Sequence, residues 1–171
     1  EIKATPKITY QVQSLPSSQG LTYKRLSIRY RENPDESEDV DMLFLVPSNT
    51  EFIDSAGIQR ARDQWMTLCN SHDPLSLVSQ IYEEDALYFN HKPIVIGTAA
   101  INAEYQYMAN PKYSLTLTPL HIEPVQESLT FEIGQCSGSY GGKYVIIWQK
   151  GPSGEWKVLL DSNVLVARST R

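Results

Sequence analysis

The sequence predicts an α+β fold: three N-terminal helices packed on one face of a curved antiparallel sheet, preceded by an extra β-hairpin-like segment. Three observations carry that expectation. Helical spacing of apolar residues is confined to residues 54–110, while strand-like alternation fills residues 113–163. The joins between the helices carry explicit start and stop signals, concentrated in the stretch Asn70–Met108. Residues 1–50 have a different character, alternating and then strongly acidic.

In chain order, Tyr10 and Val12 fit one face of a short strand ahead of the turn-like Ser17–Gly20. Leu26, Ile28 and Tyr30 then alternate with Ser27, Arg29 and Arg31, and a second apolar run spans Val40–Val46. Between them the acidic run Glu32–Asp41 reads as a solvated loop, the tip of a hairpin. A lone hairpin is only marginally stable, so residues 1–50 are expected to dock on a main domain of residues 51–171, over its sheet or its cavity mouth.

Asp54 or Ser55 opens helix one, where Ile58, Ala61, Trp65 and Leu68 form an apolar stripe that ends at Asn70–His72. Asp73 caps helix two, and Pro74 suits a first turn that needs no N–H donor there. Leu77, Val78 and Ile81 supply its buried face. Glu83–Asp85 read as a solvated join before a strand Ala86–Asn90, which reverses at His91-Lys92-Pro93 and returns through Ile94–Ile96. Thr98 is expected to cap helix three, with Ile101, Tyr105 and Met108 on one face and Asn110-Pro111 as its end. Strands follow at Tyr113–Ile122, interrupted by Pro119, then around Leu129–Ile133, Lys143–Lys150 and Trp156–Asn163.

A chain of 171 residues with 41% hydrophobic and 20% charged residues can bury a proper core. A net charge of −5 leaves no basic footprint, so nucleic acid is not an expected partner. No apolar run reaches the roughly 18 residues of a membrane span. Cys69 and Cys136 lie far apart and read as buried thiols. The three histidines share no ligand spacing, so neither metal nor cofactor is expected. The first residue is Glu1, which leaves the compartment open between cytoplasm and export after removal of a signal peptide.

Three strings carry a resemblance. DPLSLVSQIYEEDALYF, IVIGTAAI and GKYVIIWQKGPSGEWKVLLDSN, with Trp148, Gly154, Trp156 and Asp161 in place, resemble the SnoaL-like branch of the nuclear-transport-factor-two-like superfamily over about Ser55–Asn163. The resemblance implies a cone with an internal cavity and, as in many relatives, a homodimer through the sheet face. Ketosteroid isomerases of that superfamily use a helix-one tyrosine as oxyanion donor, an aspartate base at a strand end, and a protonated acid on a later strand. Those positions fall here on Trp65, on Asn90, and on Tyr144 or Val145. An amide such as Asn90 has no basic form near neutral pH, so the resemblance argues against steroid-isomerase chemistry.

The residues leave several candidates. His91, near the strand end, is either an acid–base group or part of an exposed turn. Strict alternation puts Asp161 opposite the face of Trp156, Val158 and Leu160; on the concave face it would be a base, on the convex face a surface or interface residue. Trp65, Tyr88, Asn90, Tyr105 and Trp148 are candidate ligand contacts, although aromatics at such spacing also fill ordinary cores. The glycines of Gly134–Gly142 lack the context of a phosphate loop. The leading reading is binding of a small apolar or aromatic molecule in the cone. The alternatives are an enzyme of cyclase, isomerase or dehydratase type using His91 or Asp161, and a dimeric assembly domain.

Overall fold

Alternation in the first fifty residues yields a full sheet. The computed structural model describes residues 2–3, 7–33, 36–47, 54–89 and 93–165. Strands β1 (Ile2–Lys3), β2 (Ile8–Pro16), β3 (Thr22–Asn33) and β4 (Glu36–Val46) pair antiparallel in chain order. Ser17 ties the β2–β3 turn, its Oγ accepting from the N–H groups of Gln19 and Leu21. The acidic run is not the expected loop: β4 starts at Glu36 and carries Asp39 and Asp41. Its residues pair with β3 through Asn33, and at Asp41 the pairing is reinforced by Ser27, directly opposite, and by Arg25, on the diagonal. Arg25 forms a two-bond fork with Asp41 at 2.9 Å, and Ser27 adds a hydroxyl donor.

The second half contains α1 (Ser55–Asn70), α2 (Pro74–Ile81), β5 (Tyr82–Tyr88), β6 (Val95–Ile96), α3 (Thr98–Glu104) with a 3₁₀ turn (Tyr105–Ala109), β7 (Leu115–Gln126), β8 (Leu129–Gly138), β9 (Gly142–Lys150) and β10 (Trp156–Leu165). Asp54 caps α1 by accepting from the Gly57 N–H, and Asp73 caps α2 by accepting from that of Ser76. Two local expectations are corrected. Glu83–Asp85 belong to β5, because α2 turns straight into extended backbone at Tyr82 and the strand bulges before Leu87 pairs with Leu160. The N-cap of α3 is Gly97, at φ +86°, and Thr98 is its first helical residue.

The six strands β5–β10 form one sheet in the order β6-β5-β10-β9-β8-β7. Its pairings are antiparallel except for β5 with β10, which run parallel, so the sheet is mixed rather than purely antiparallel. The helices fill its concave face, where Ile58, Trp65, Leu77, Ile81, Ile101 and Tyr105 pack on inward residues such as Ile146 and Trp148.

The convex face is covered too. Ile8, Tyr10, Leu26 and Ile28 of the N-terminal sheet pack against Phe131, Ile133, Val145, Ile147 and Leu160. That convex face is also where the sequence reading puts a second copy of the chain. Residues of the chain's own N-terminal strands pack on it.

Candidate functional site

One irregularity in β10 decides what the cone contains. Val158 pairs with Trp148 of β9, yet Leu160 pairs with the next residue, Ile147, so Leu159 is an extra residue. The bulge reverses the side-chain phase beyond it. Asp161 consequently faces the same interior as Trp156 and Val158, not the opposite side as strict alternation requires, while Leu160 joins the convex layer. Two adjacent leucines, Leu159-Leu160, were the only sign of this in the sequence.

Inside the cone Asp161 is nearly inaccessible. Its Oδ2 accepts from the hydroxyls of Tyr82 at 2.8 Å and Tyr105 at 2.5 Å. The two tyrosine oxygens are 3.0 Å apart, and Trp65 Nε1–H donates to Tyr82 at 3.0 Å. Burial pushes the Asp161 carboxyl up to about 6, and the bonds from Tyr105, Tyr82 and Asn163 pull in the opposite direction. Burial, reinforced by the neighbouring Asp161 charge, holds both tyrosines well above the ordinary phenol range. Two residues on, Asn163 Oδ1 faces the hydroxyls of Tyr88 and Tyr140, each at 3.4 Å. Beside this group lies a cavity of about 10 Å³, room for one water, with apolar walls from Leu115, Leu117 and Ile146.

A second polar cluster lies on the same concave face. Glu132 of β8 is fully buried and accepts four bonds: Arg62 Nε and a second guanidinium N–H at 2.8 Å each, Tyr144 at 2.7 Å and Trp148 Nε1 at 3.0 Å. All its acceptor capacity is engaged, which makes it a closed structural ion pair rather than an available base. Gly134 leaves the space Tyr144 needs, since a Cβ there would lie 2.2 Å from its ring.

Of the candidate contacts, Trp65, Tyr88 and Tyr105 gather around Asp161 and Asn163, and Tyr105 sits edge-on to Tyr88 with ring centroids 5.1 Å apart. Trp148 is buried with the Glu132 cluster instead. Asn90 and His91 lie outside the described residues. Tyr82, Asn163, Arg62 and Glu132 went unrecognised in the sequence. Arg62 on the apolar stripe of helix one and Glu132 inside an apolar strand were the available signals, each a charge where a core residue belongs. Of the positions set against the isomerases, Trp65 donates to a tyrosine, Tyr144 to Glu132, and Val145 points into the convex layer. Among the described residues no group of three His, Cys, Asp or Glu is placed to hold a metal ion, and no helix is long and apolar enough to cross a membrane.

Comparison with solved structures settles the architecture. An NTF-2-like protein of unknown function from Shewanella oneidensis superposes with a TM-score of 0.57 at 13% identity, over 65% of this chain and 98% of its own. The fold is the NTF2-like cone. A ketosteroid isomerase-like protein from Erwinia carotovora gives 0.54 at 12% identity, covering 67% of this chain and 99% of its own. A cystatin-like domain of unknown function from Nostoc punctiforme gives 0.55 at 15% identity, over 68% and 79%. At these identities the likeness is one of fold alone. No family model matches the chain, and no curated relative matches it either.

Proposed function

We propose that this cone protein binds a small, uncharged and largely apolar molecule carrying one hydroxyl or similar donor, held at Asp161. The observation that carries this reading is a buried carboxylate, with two tyrosine hydroxyls on it, at the end of an apolar-walled cavity. An interior evolved for stability alone gains little from a carboxylate, since well-packed apolar groups serve as well or better. The charge of Asp161 near neutral pH disfavours anions, and the leucine and isoleucine walls favour hydrocarbon. With room for one water only, the site admits such a molecule by displacing side chains at its edge.

The test is native mass spectrometry of the purified chain, followed by thermal-shift titration with a panel of small phenols, aliphatic alcohols and the matching carboxylates. Retained mass, or stabilisation by neutral donors that is lost in Asp161→Asn, supports the reading. Equal responses of wild type and Asp161→Asn across the panel, with no retained mass, would sink it.

A catalytic reading rests on the same residue. A carboxyl near pKa 6, backed by two tyrosine donors, is suited to proton transfer near neutral pH. It requires turnover that rises with a pKa near 6 and disappears in Asp161→Asn while the fold persists. The homodimer expected from the sequence gains no support here, because a pair of chains would have to meet on some surface other than the covered convex face.

A further inference from the structure

We infer that Tyr140, on the β8–β9 turn, is the gate of the Asp161 cavity and that Gly141 is its hinge; this rests on the binding reading above, with Tyr140 as the side chain that yields. Of the residues lining the cavity, all are buried except Tyr140 and Asn163, which are half-buried. The lining is therefore most open to solvent at these two residues. They close on a long bond, the Tyr140 hydroxyl donating to Asn163 Oδ1 at 3.4 Å, backed by a tilted ring contact with Tyr113 at 6.5 Å. The outer flank is aromatic as well, with Tyr107 edge-on to Tyr113 at 5.3 Å. The Tyr113 hydroxyl is buried without a hydrogen-bond partner, so the closed arrangement leaves one donor unsatisfied beside the gate.

The turn is built to move at one place. Gly138 has φ +122°, and a Cβ there would lie 2.3 Å from the Ser114 carbonyl oxygen. Ser139 is tied to Ser114 by bonds in both directions, of 2.7 and 2.8 Å. A Cβ on Gly142 would come within 2.3 Å of the Val164 carbonyl oxygen. These three residues are pinned. Gly141 is different: a Cβ on it would meet nothing within 4 Å, and its φ lies outside the left-handed range. Neither space nor strain calls for glycine there. What glycine contributes at that position is backbone freedom, next to the one side chain that closes the cavity.

Trp65 reports on the gate without any ligand. Its indole lines the cavity, whereas that of Trp148 is held by Glu132 in the other cluster. The experiment measures solvent exchange of the two indole N–H protons by NMR in wild type, Tyr140→Ala and Gly141→Ala. Tyr140→Ala is expected to speed Trp65 exchange about tenfold, the size of one lost hydrogen bond. Gly141→Ala, in open space, is expected to slow it about threefold by restricting the hinge. Trp148 exchange stays unchanged in both. Trp65 and Trp148 moving together, or a Gly141→Ala protein with wild-type Trp65 exchange, overturns the gate. A gate that passes this test while no neutral probe shifts stability would overturn the binding reading alone.

Discussion

One sheet separates two interiors, and they are filled on different principles. The convex side, against the N-terminal strands, is a sheet-on-sheet sandwich of mostly aliphatic and aromatic groups, with the Tyr10 hydroxyl set against Ser162 inside it. The concave side, against the helices, carries Asp161 with its tyrosines and Glu132 with Arg62. Alternate residues of the same strand serve both: Phe131 points to the strands and Glu132 to the helices. Stability by area is thus concentrated on one face and polar chemistry on the other. The N-terminal sheet leaves the concave side free to carry groups that a single-core domain could less easily tolerate.

The sharpest test of that contrast uses those two neighbours. Phe131→Ala should cost about 3–5 kcal/mol by opening a cavity, and a second deletion in the convex layer, such as Ile147→Ala, should deepen the loss. Glu132→Ala should cost a similar 3–5 kcal/mol by leaving Arg62 buried and unpaired. There, however, the joint change Arg62→Met, Glu132→Leu and Tyr144→Phe should recover most of it, because only the Trp148 Nε1–H is then left without its acceptor. Urea denaturation of the four variants separates the two behaviours, and equal non-recovery on both faces would break the contrast.

Next in size is the pH dependence carried by Asp161. Its folded pKa, about 6, lies above the ordinary 3.8, so the folded state keeps a proton that the unfolded chain releases. Stability from this group is therefore fullest below the unfolded value and falls as pH rises through the folded one, by up to about 3 kcal/mol. Measured against Asp161→Asn, wild type should lose ground by that amount between about pH 3.5 and pH 7.5. A flat difference would mean that the hydrogen bonds from Tyr105 and Tyr82 cancel the effect of burial.

Asp54 has the opposite sign. Bonds from Lys150, Trp156 and the Gly57 N–H draw its carboxyl down to about 2, so its contribution is present above the ordinary 3.8 and lost as pH falls through the folded value. Asp54→Ala should cost about 1 kcal/mol at neutral pH, the usual worth of an N-cap, read from the shift in thermal midpoint. The smallest effect belongs to Arg25 and Asp41 on the outside of the N-terminal sheet. Breaking that exposed pair should cost at most about 1 kcal/mol and less in high salt, as paired denaturation curves at two ionic strengths would show.

The elements themselves were legible because each rests on local chemistry. Asp54 and Asp73 as caps, Pro74 in a first turn, and the alternation of Leu26, Ile28 and Tyr30 are all short-range facts. The site was legible only in pieces. Trp65, Tyr88 and Tyr105 read as candidate contacts, but nothing local tied them to Asp161, at least 56 residues further along and aimed by a bulge in its ladder with β9. Arg62 and Glu132 are 70 residues apart and each makes sense only with the other present. The acidic run misread as a loop fails the same way, since its pairing with β3, reinforced by Arg25 and Ser27, makes it strand.

The extra residue at Leu159 makes backbone length a chemical variable. Removing that one residue would join Val158 directly to Leu160, the step the ladder with β9 already takes, so strict alternation would keep Asp161 and Asn163 toward the helices and Ser162 toward the N-terminal strands. One added residue between Leu160 and Asp161, taken up by the ladder rather than bulged, would do the reverse: it would turn Asp161 and Asn163 into the hydrocarbon sandwich and bring Ser162 inward. A three-nucleotide insertion would thus amount to several substitutions at once, exchanging what the two compartments hold. In such a strand the reading frame of the pleat is as heritable as the identity of the carboxylate it aims.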